Sequence, residues 1–145
     1  MSTEIKLKGF EAIEAMFNRL PDDIAGDTAK RALKDGANVV LEEAQNLVPE
    51  GDTGKLADSL SIKFVKGSLP TYRVYAKRSK GMGGWHANLV EYGTAPHMIG
   101  NIAHPGMAPK PFMRPALLTK KDETLKAVFE KIYKHCQNAI KKASK

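Results

Sequence analysis

Apolar residues recur along most of this chain at spacings that assign its elements. Ile5-Lys6-Leu7-Lys8 alternates apolar with polar and predicts a short strand or extended arm ending at Gly9. Phe10, Ile13, Met16, Phe17 and Leu20 fall on one helical stripe, which Pro21 stops. Asp22 or Asp23 can cap the next helix, because a short carboxylate accepts from the free amides of a first turn. Ile24, Thr28, Ala29, Ala32, Leu33, Gly36, Ala37, Val40, Leu41, Ala44, Leu47 and Val48 keep one face for over six turns until Pro49. Many of its residues are small, which lets a second backbone approach closely. This is the longest pattern in the chain and predicts the spine of the fold.

Pro49-Glu50-Gly51-Asp52-Thr53-Gly54 is turn chemistry, followed by a short connecting segment. Leu60, Ile62 and Phe64 then alternate with Ser61 and Lys63, and Tyr72, Val74 and Ala76 alternate with Arg73 and Tyr75. With Gly67-Ser68-Leu69-Pro70 between them, they predict an antiparallel hairpin with one buried face. Residues 78–84 form a basic, glycine-rich loop expected to be mobile, and residues 85–92 a short helix ended by Gly93. Four prolines between Thr94 and Pro111 predict loop, with residues 110–113 limited to an edge strand or an extended strap. Pro115 suits the first turn of a last helix, where its missing N–H is harmless. Leu118, Leu125, Val128, Phe129, Ile132, Tyr133, Cys136, Ala139 and Ile140 would give that helix its buried face. With no internal repeat and no low-complexity linker, residues 1–145 are expected to form a single domain.

Charge changes this picture through its distribution. The net charge is +7, yet residues 1–60 hold seven Lys/Arg against twelve Asp/Glu, residues 61–119 eight against Glu91 alone, and residues 120–145 eight against three. An acidic stretch and a basic one suit head-to-tail contact between copies, since opposite potentials steer and register docking. A chance bias on a solvated surface is the plainer account. The basic half could also meet phosphates, although no run is dense enough to demand it. One cysteine, Cys136, excludes an internal disulfide. No apolar run approaches the ~18 residues that span a bilayer, and Met1-Ser2-Thr3-Glu4 lacks the basic and apolar regions of a secretory leader. Synthesis in the cytoplasm is expected.

Candidate chemistry is thin. His86, His97 and His104 are separated by loop, and His135 and Cys136 are adjacent on a helix and point apart, so ligand spacing for a metal is poor. Cys136 falls on an apolar stripe, which favours a core thiol over a nucleophile. Lys80-Gly81-Met82-Gly83-Gly84 lacks the Gly-Lys-Ser/Thr ending of a phosphate loop. Glu91, the sole acid among eight basic residues, is expected to pair with Arg114 and clamp the Phe112-Met113 strap to the short helix; the plainer reading is a solvated Glu. Arg78, Lys80, Trp85 and Tyr92 make the best candidate partner surface, because aromatic and guanidinium groups dominate binding energy, with Trp85 as ordinary core the competing reading.

Val90-Glu91-Tyr92-Gly93-Thr94, then Lys110-Pro111-Phe112-Met113-Arg114-Pro115-Ala116-Leu117, resembles the signature of a tail-component family of long-tailed, lambdoid-type phages. Leu7-Lys8-Gly9-Phe10, Pro49 with Thr53-Gly54-Lys55-Leu56, and Ser59-Leu60-Ser61-Ile62 match it in family order. The resemblance implies an α+β fold, with two N-terminal helices (one long) and a C-terminal helix packed on a small antiparallel sheet. It implies no enzyme activity and no cofactor or metal, and a place in the virion, at the neck or tail of a phage or prophage. There the chain would act in tail completion or head–tail joining as a ring of its own copies, a hexamer first. Other neck and tail proteins would be its partners, and DNA would pass through the ring. Gly54, Glu91, Gly93, Thr94, Pro111, Phe112, Arg114 and Pro115 are the signature residues, and read as makers of the fold. The stretch 97–109 is longer than the family usually has, and is where this member would meet its neighbour.

Two other readings compete. A small nucleic-acid-binding protein would use the basic half and lose affinity steeply with salt. A metal-dependent hydrolase would need the loop histidines to converge and would fail with chelator.

Overall fold

The computed structural model describes residues 15, 18–19, 22–49, 54–67, 70–79, 81 and 83–144. The arm predicted at residues 5–8 and the stripe from Phe10 to Leu20 lie outside the described residues, as does most of the turn after Pro49. The remainder is α+β: five α-helices and two separate two-stranded antiparallel sheets.

Helix α1 (Asp22–Leu47) is the predicted spine. Thr28, Ala32, Gly36, Val40 and Ala44, spaced by four, are its buried stripe. The long C-terminal helix packs on it so closely that a Cβ at Gly36 would stand 2.7 Å from Val128 Cγ2 and 3.2 Å from Thr124 Cγ2. Asp35 and Lys131 pair across the same contact at 2.9 Å, a half-exposed bridge that adds little. Gly36→Ala is expected to lower stability by about 1 kcal/mol in thermal denaturation. Alanine's helix propensity, better by about 1 kcal/mol, is outweighed by crowding against the stiff, branched Val128, which costs about 1–3 kcal/mol.

The connecting segment after Gly54 is helical, α2 (Lys55–Ser59), and runs directly into β1 (Leu60–Val65). Strand β2 (Thr71–Ala76) pairs with β1 in the predicted antiparallel hairpin. Its register sets Leu60 opposite Ala76, Ile62 opposite Val74, and Phe64 opposite Tyr72 on one face. The Phe64 and Tyr72 rings lie 5.4 Å apart, and the Lys30 ammonium on α1 sits 4.7 Å over Phe64, so the sheet closes on the spine. Val40, Ala44, Leu56, Leu60, Ala87, Phe112 and Ala116 form the buried centre.

The segment 85–92 divides into a 3-10 turn (Gly83–His86) and α3 (Ala87–Tyr92), which Gly93 ends at φ +72°. The expected loop at 94–111 holds a second hairpin, β3 (His97–Ile99) and β4 (Ile102–His104), with Thr94 bridged to Met107 below it. Gly100-Asn101 supplies its two-residue turn. Gly100 takes φ +60° and no non-glycine residue described has positive φ, as a II′ turn requires. Residues 110–112 are a strap, pinned by Lys110 N–H donating to Val90 O at 2.8 Å, and pair in no strand.

The single last helix is two: α4 (Met113–Thr119) and α5 (Lys121–Ala143), broken where Lys120 leaves helical geometry at φ −98°, ψ 10°. Leu125, Val128, Phe129, Ile132 and Ala139 of the expected apolar stripe are half-buried. Cys136 is fully buried, whereas Leu118, Tyr133 and Ile140 are exposed. Burial alone pushes the Cys136 thiol up, as suits a core residue.

Candidate functional site

Among the described residues the most constrained polar group is Glu91, a buried carboxylate near the end of α3. Its Oε2 accepts from Phe112 N–H at 2.7 Å and Met113 N–H at 2.9 Å, and its Oε1 accepts from Arg114 N–H at 3.1 Å. These are the N-cap and the first two positions of α4. A helix start leaves four N–H groups without an intrahelical acceptor. Here Glu91 takes three, and the fourth position is Pro115, which has none. The first backbone bond of α4 then runs from Ala116 N–H to Phe112 O at 3.2 Å. A residue twenty-one positions upstream thus caps the helix.

This corrects the expected Glu91–Arg114 ion pair. The strap is clamped to α3, but by backbone amides; no ion pair among the described residues joins Glu91 to the Arg114 guanidinium. The reason lies in geometry: α4 begins at the strap, so its positive end meets the carboxylate first. Burial alone would push the Glu91 carboxyl up. The three amides, with the Arg114 charge, outweigh that and hold it below its ordinary value.

The other signature residues build the same corner. Gly93 turns the chain out of α3, and a Cβ there would fall 2.5 Å from Met107 O. Thr94 exchanges two backbone hydrogen bonds with Met107, at 2.9 and 3.0 Å. Pro111 is exposed on the strap, while Phe112 is fully buried. Gly54 stands apart, at the start of α2.

Beside this corner lies an open groove of about 860 Å³ between α1, β2, α3 and α4. Val40, Val74, Ala87 and Phe112 contribute apolar wall, Leu117 an exposed apolar side chain, and Arg73, Arg78 and Arg114 basic residues at its margin. Of the candidate partner residues, Arg78 and Tyr92 both line it; Trp85 does not, but is 66% exposed, which removes its core reading. Lys80 lies outside the described residues.

The histidines divide. The hairpin register brings His97 opposite His104, with ring centroids 4.9 Å apart, whereas His86 stacks edge-on with Trp85 elsewhere. His97 Nδ1 donates to Ala95 O at 2.8 Å. His104 Nδ1 accepts from Gly106 N–H at 3.1 Å, so its Nε2 carries the hydrogen. No three His, Cys, Asp or Glu side chains among the described residues gather as metal ligands. Sequence reasoning singled out Glu91 by its charge isolation but missed its partners, because a backbone amide leaves no mark in a sequence. No helix described is long and apolar enough to cross a membrane.

These features define a small α+β protein in which the one carboxylate buried among the described residues serves the backbone. The chain belongs to the family described as "Bacteriophage HK97-gp10, putative tail-component", whose profile matches residues 11–93, more than half of its length. It is thus a bacteriophage tail component, with its place in the virion among other phage proteins. The matched span includes Gly54, Glu91 and Gly93 and ends before the strap. No curated protein and no solved structure matches the chain.

Proposed function

We propose that this tail component is a single-domain, non-enzymatic joint that closes into a ring of its own copies, a hexamer first, during tail completion or head–tail joining. The observation that carries this reading is the use of Glu91. The one acid of the basic middle is buried and accepts from three amides of its own fold, so its carboxylate is engaged in capping α4 and poorly placed for proton transfer to a substrate. The charge split supports contact between copies, with the acidic stretch 1–60 meeting the basic stretch 61–119 of the next. Such a head-to-tail contact makes a ring where its rotation closes. DNA would pass through the opening, and neighbouring neck and tail proteins would stack on its faces.

Light scattering across concentration, with and without nuclease, tests the ring. Concentration-dependent oligomers of fixed maximum size, indifferent to nuclease, are expected. A monomer that instead binds duplex DNA, with affinity falling steeply in salt, would transfer the role to the basic nucleic-acid-binding alternative. Phage carrying a stop codon in this gene are expected to accumulate unjoined heads and tails. Normal particles from such phage would end the proposal.

A further inference from the structure

The second hairpin is built in a way the corner and its cap do not require. Its base is fixed by the Thr94–Met107 bridge and by Gly93 and Gly106, whose missing Cβ atoms would strike Met107 O and Thr94 O. Beyond that base, β3 and β4 pair only with each other among the described residues. Met98, Ile99 and Ile102 are 62, 56 and 73% exposed, an apolar tip held out on a fixed stem. Exposed apolar groups placed together in this way mark an interaction surface. Residues 94–109 also contain no Asp, Glu, Lys or Arg, although the surrounding stretch 61–119 carries eight basic residues.

The groove beside Glu91 has the complementary character. Its walls are apolar, Leu117 and Tyr92 are 54 and 70% exposed, and Arg73, Arg78 and Arg114 contribute its basic residues. Three guanidiniums disfavour any other part of the basic middle, because like charges brought together cost free energy. An uncharged hairpin escapes that cost. It also presents carbonyl oxygens along two open strand edges, which guanidinium groups can meet as donors.

We propose that the hairpin of one copy seats its Ile99–Ile102 tip in the Leu117-lined groove of the next copy. The proposal rests on the ring reading and names the contact that would propagate the ring. Knob and socket lie on different parts of one chain, so the contact is heterologous: each copy gives a hairpin and receives one. An eight-residue hairpin presents less than the ~800 Å² per partner of a standard stable interface. One contact is therefore weak, and assembly should pass from monomer to closed ring with few open intermediates.

Cysteine trapping tests it. Full-length I102C and L117C proteins, each keeping the buried Cys136, are mixed at high concentration and oxidised, with K126C as a control at an exposed site on α5. The expected result is an I102C–L117C heterodimer at least about fivefold above either homodimer and above any product with K126C. A chain carrying both substitutions should give a ladder ending at one closed size, and I99E/I102E should abolish oligomers while keeping the wild-type circular dichroism. I102C homodimers in excess would make the contact hairpin-to-hairpin and overturn the proposal. An intrachain M16C–L117C bond would fill the groove with the chain's own N-terminal apolar stripe, with the same consequence. So would sedimentation of wild type, but not I99E/I102E, with phosphatidylcholine–phosphatidylglycerol vesicles, together with no 102–117 bond. Oligomers that persist in I99E/I102E would sink this contact and leave the ring standing. Absence of any oligomer of the wild type, in solution and in purified tails, would remove both.

Discussion

Replacing Glu91 by alanine is expected to lower stability by about 3–4 kcal/mol, measured by urea denaturation. Three amides lose a charged acceptor at once, and each such bond contributes roughly 1.5–3 kcal/mol before water re-enters. Glu91→Gln keeps a neutral acceptor and should cost about half as much. Arg114→Ala should cost less than about 1 kcal/mol, because Arg114 meets the carboxylate through its backbone N–H, which alanine retains. The pH dependence has a fixed sign. Glu91 ionises at lower pH in the folded chain than its ordinary value of 4.5. Its contribution is therefore complete above that ordinary value and is lost as pH falls through the depressed folded value. Glu91→Gln removes this component of the acid slope. Equal acid slopes in the wild type and Glu91→Gln would contradict the cap.

Phe112→Ala should be the most damaging single truncation, at about 3–5 kcal/mol, since a fully buried ring leaves both its transfer energy and a cavity behind. For a chain of this size each kcal/mol moves the melting temperature by roughly 2–4 °C. Phe112→Met, nearer in volume and able to bend into the gap, should cost about 1.5 kcal/mol. Calorimetry distinguishes the two. Phe112 sits between the strap and the groove wall, so the alanine variant should also weaken assembly in proportion to its loss of folded material.

The parts of the fold that announce themselves are those where burial is periodic. The stripe spaced by four from Thr28 to Ala44 and the alternation of Leu60, Ile62 and Phe64 each meet a partner surface along their length, so pattern and structure coincide. Residues 97–104 hide because Pro96 and Pro105 bracket them and their apolar side chains face outward, which gives no buried alternation to read. Gly100-Asn101 is a hairpin turn signal, but it stands in a stretch whose four prolines read as loop. Nothing in the sequence marks Lys120 as a break: it is neither Gly nor Pro, and the helices on both sides of it pack on α1. At the site, Glu91 is conspicuous by charge and its tie to the strap is legible. The choice of amides over a guanidinium depends on where α4 begins, which only the folded chain decides.

The cap also orders events in time. Seven residues cannot hold a helical turn alone in water, since nucleation is unfavourable and few bonds follow it. Residues 113–119 must therefore wait for α3, whose carboxylate arrives by closing a loop of about twenty residues. Once it has, the Phe112, Met113 and Arg114 amides, at a position where helices ordinarily trade hydrogens with solvent fastest, should exchange as slowly as the centre of α1. Deuterium uptake there reports directly on whether the last two helices are locked to the rest of the chain.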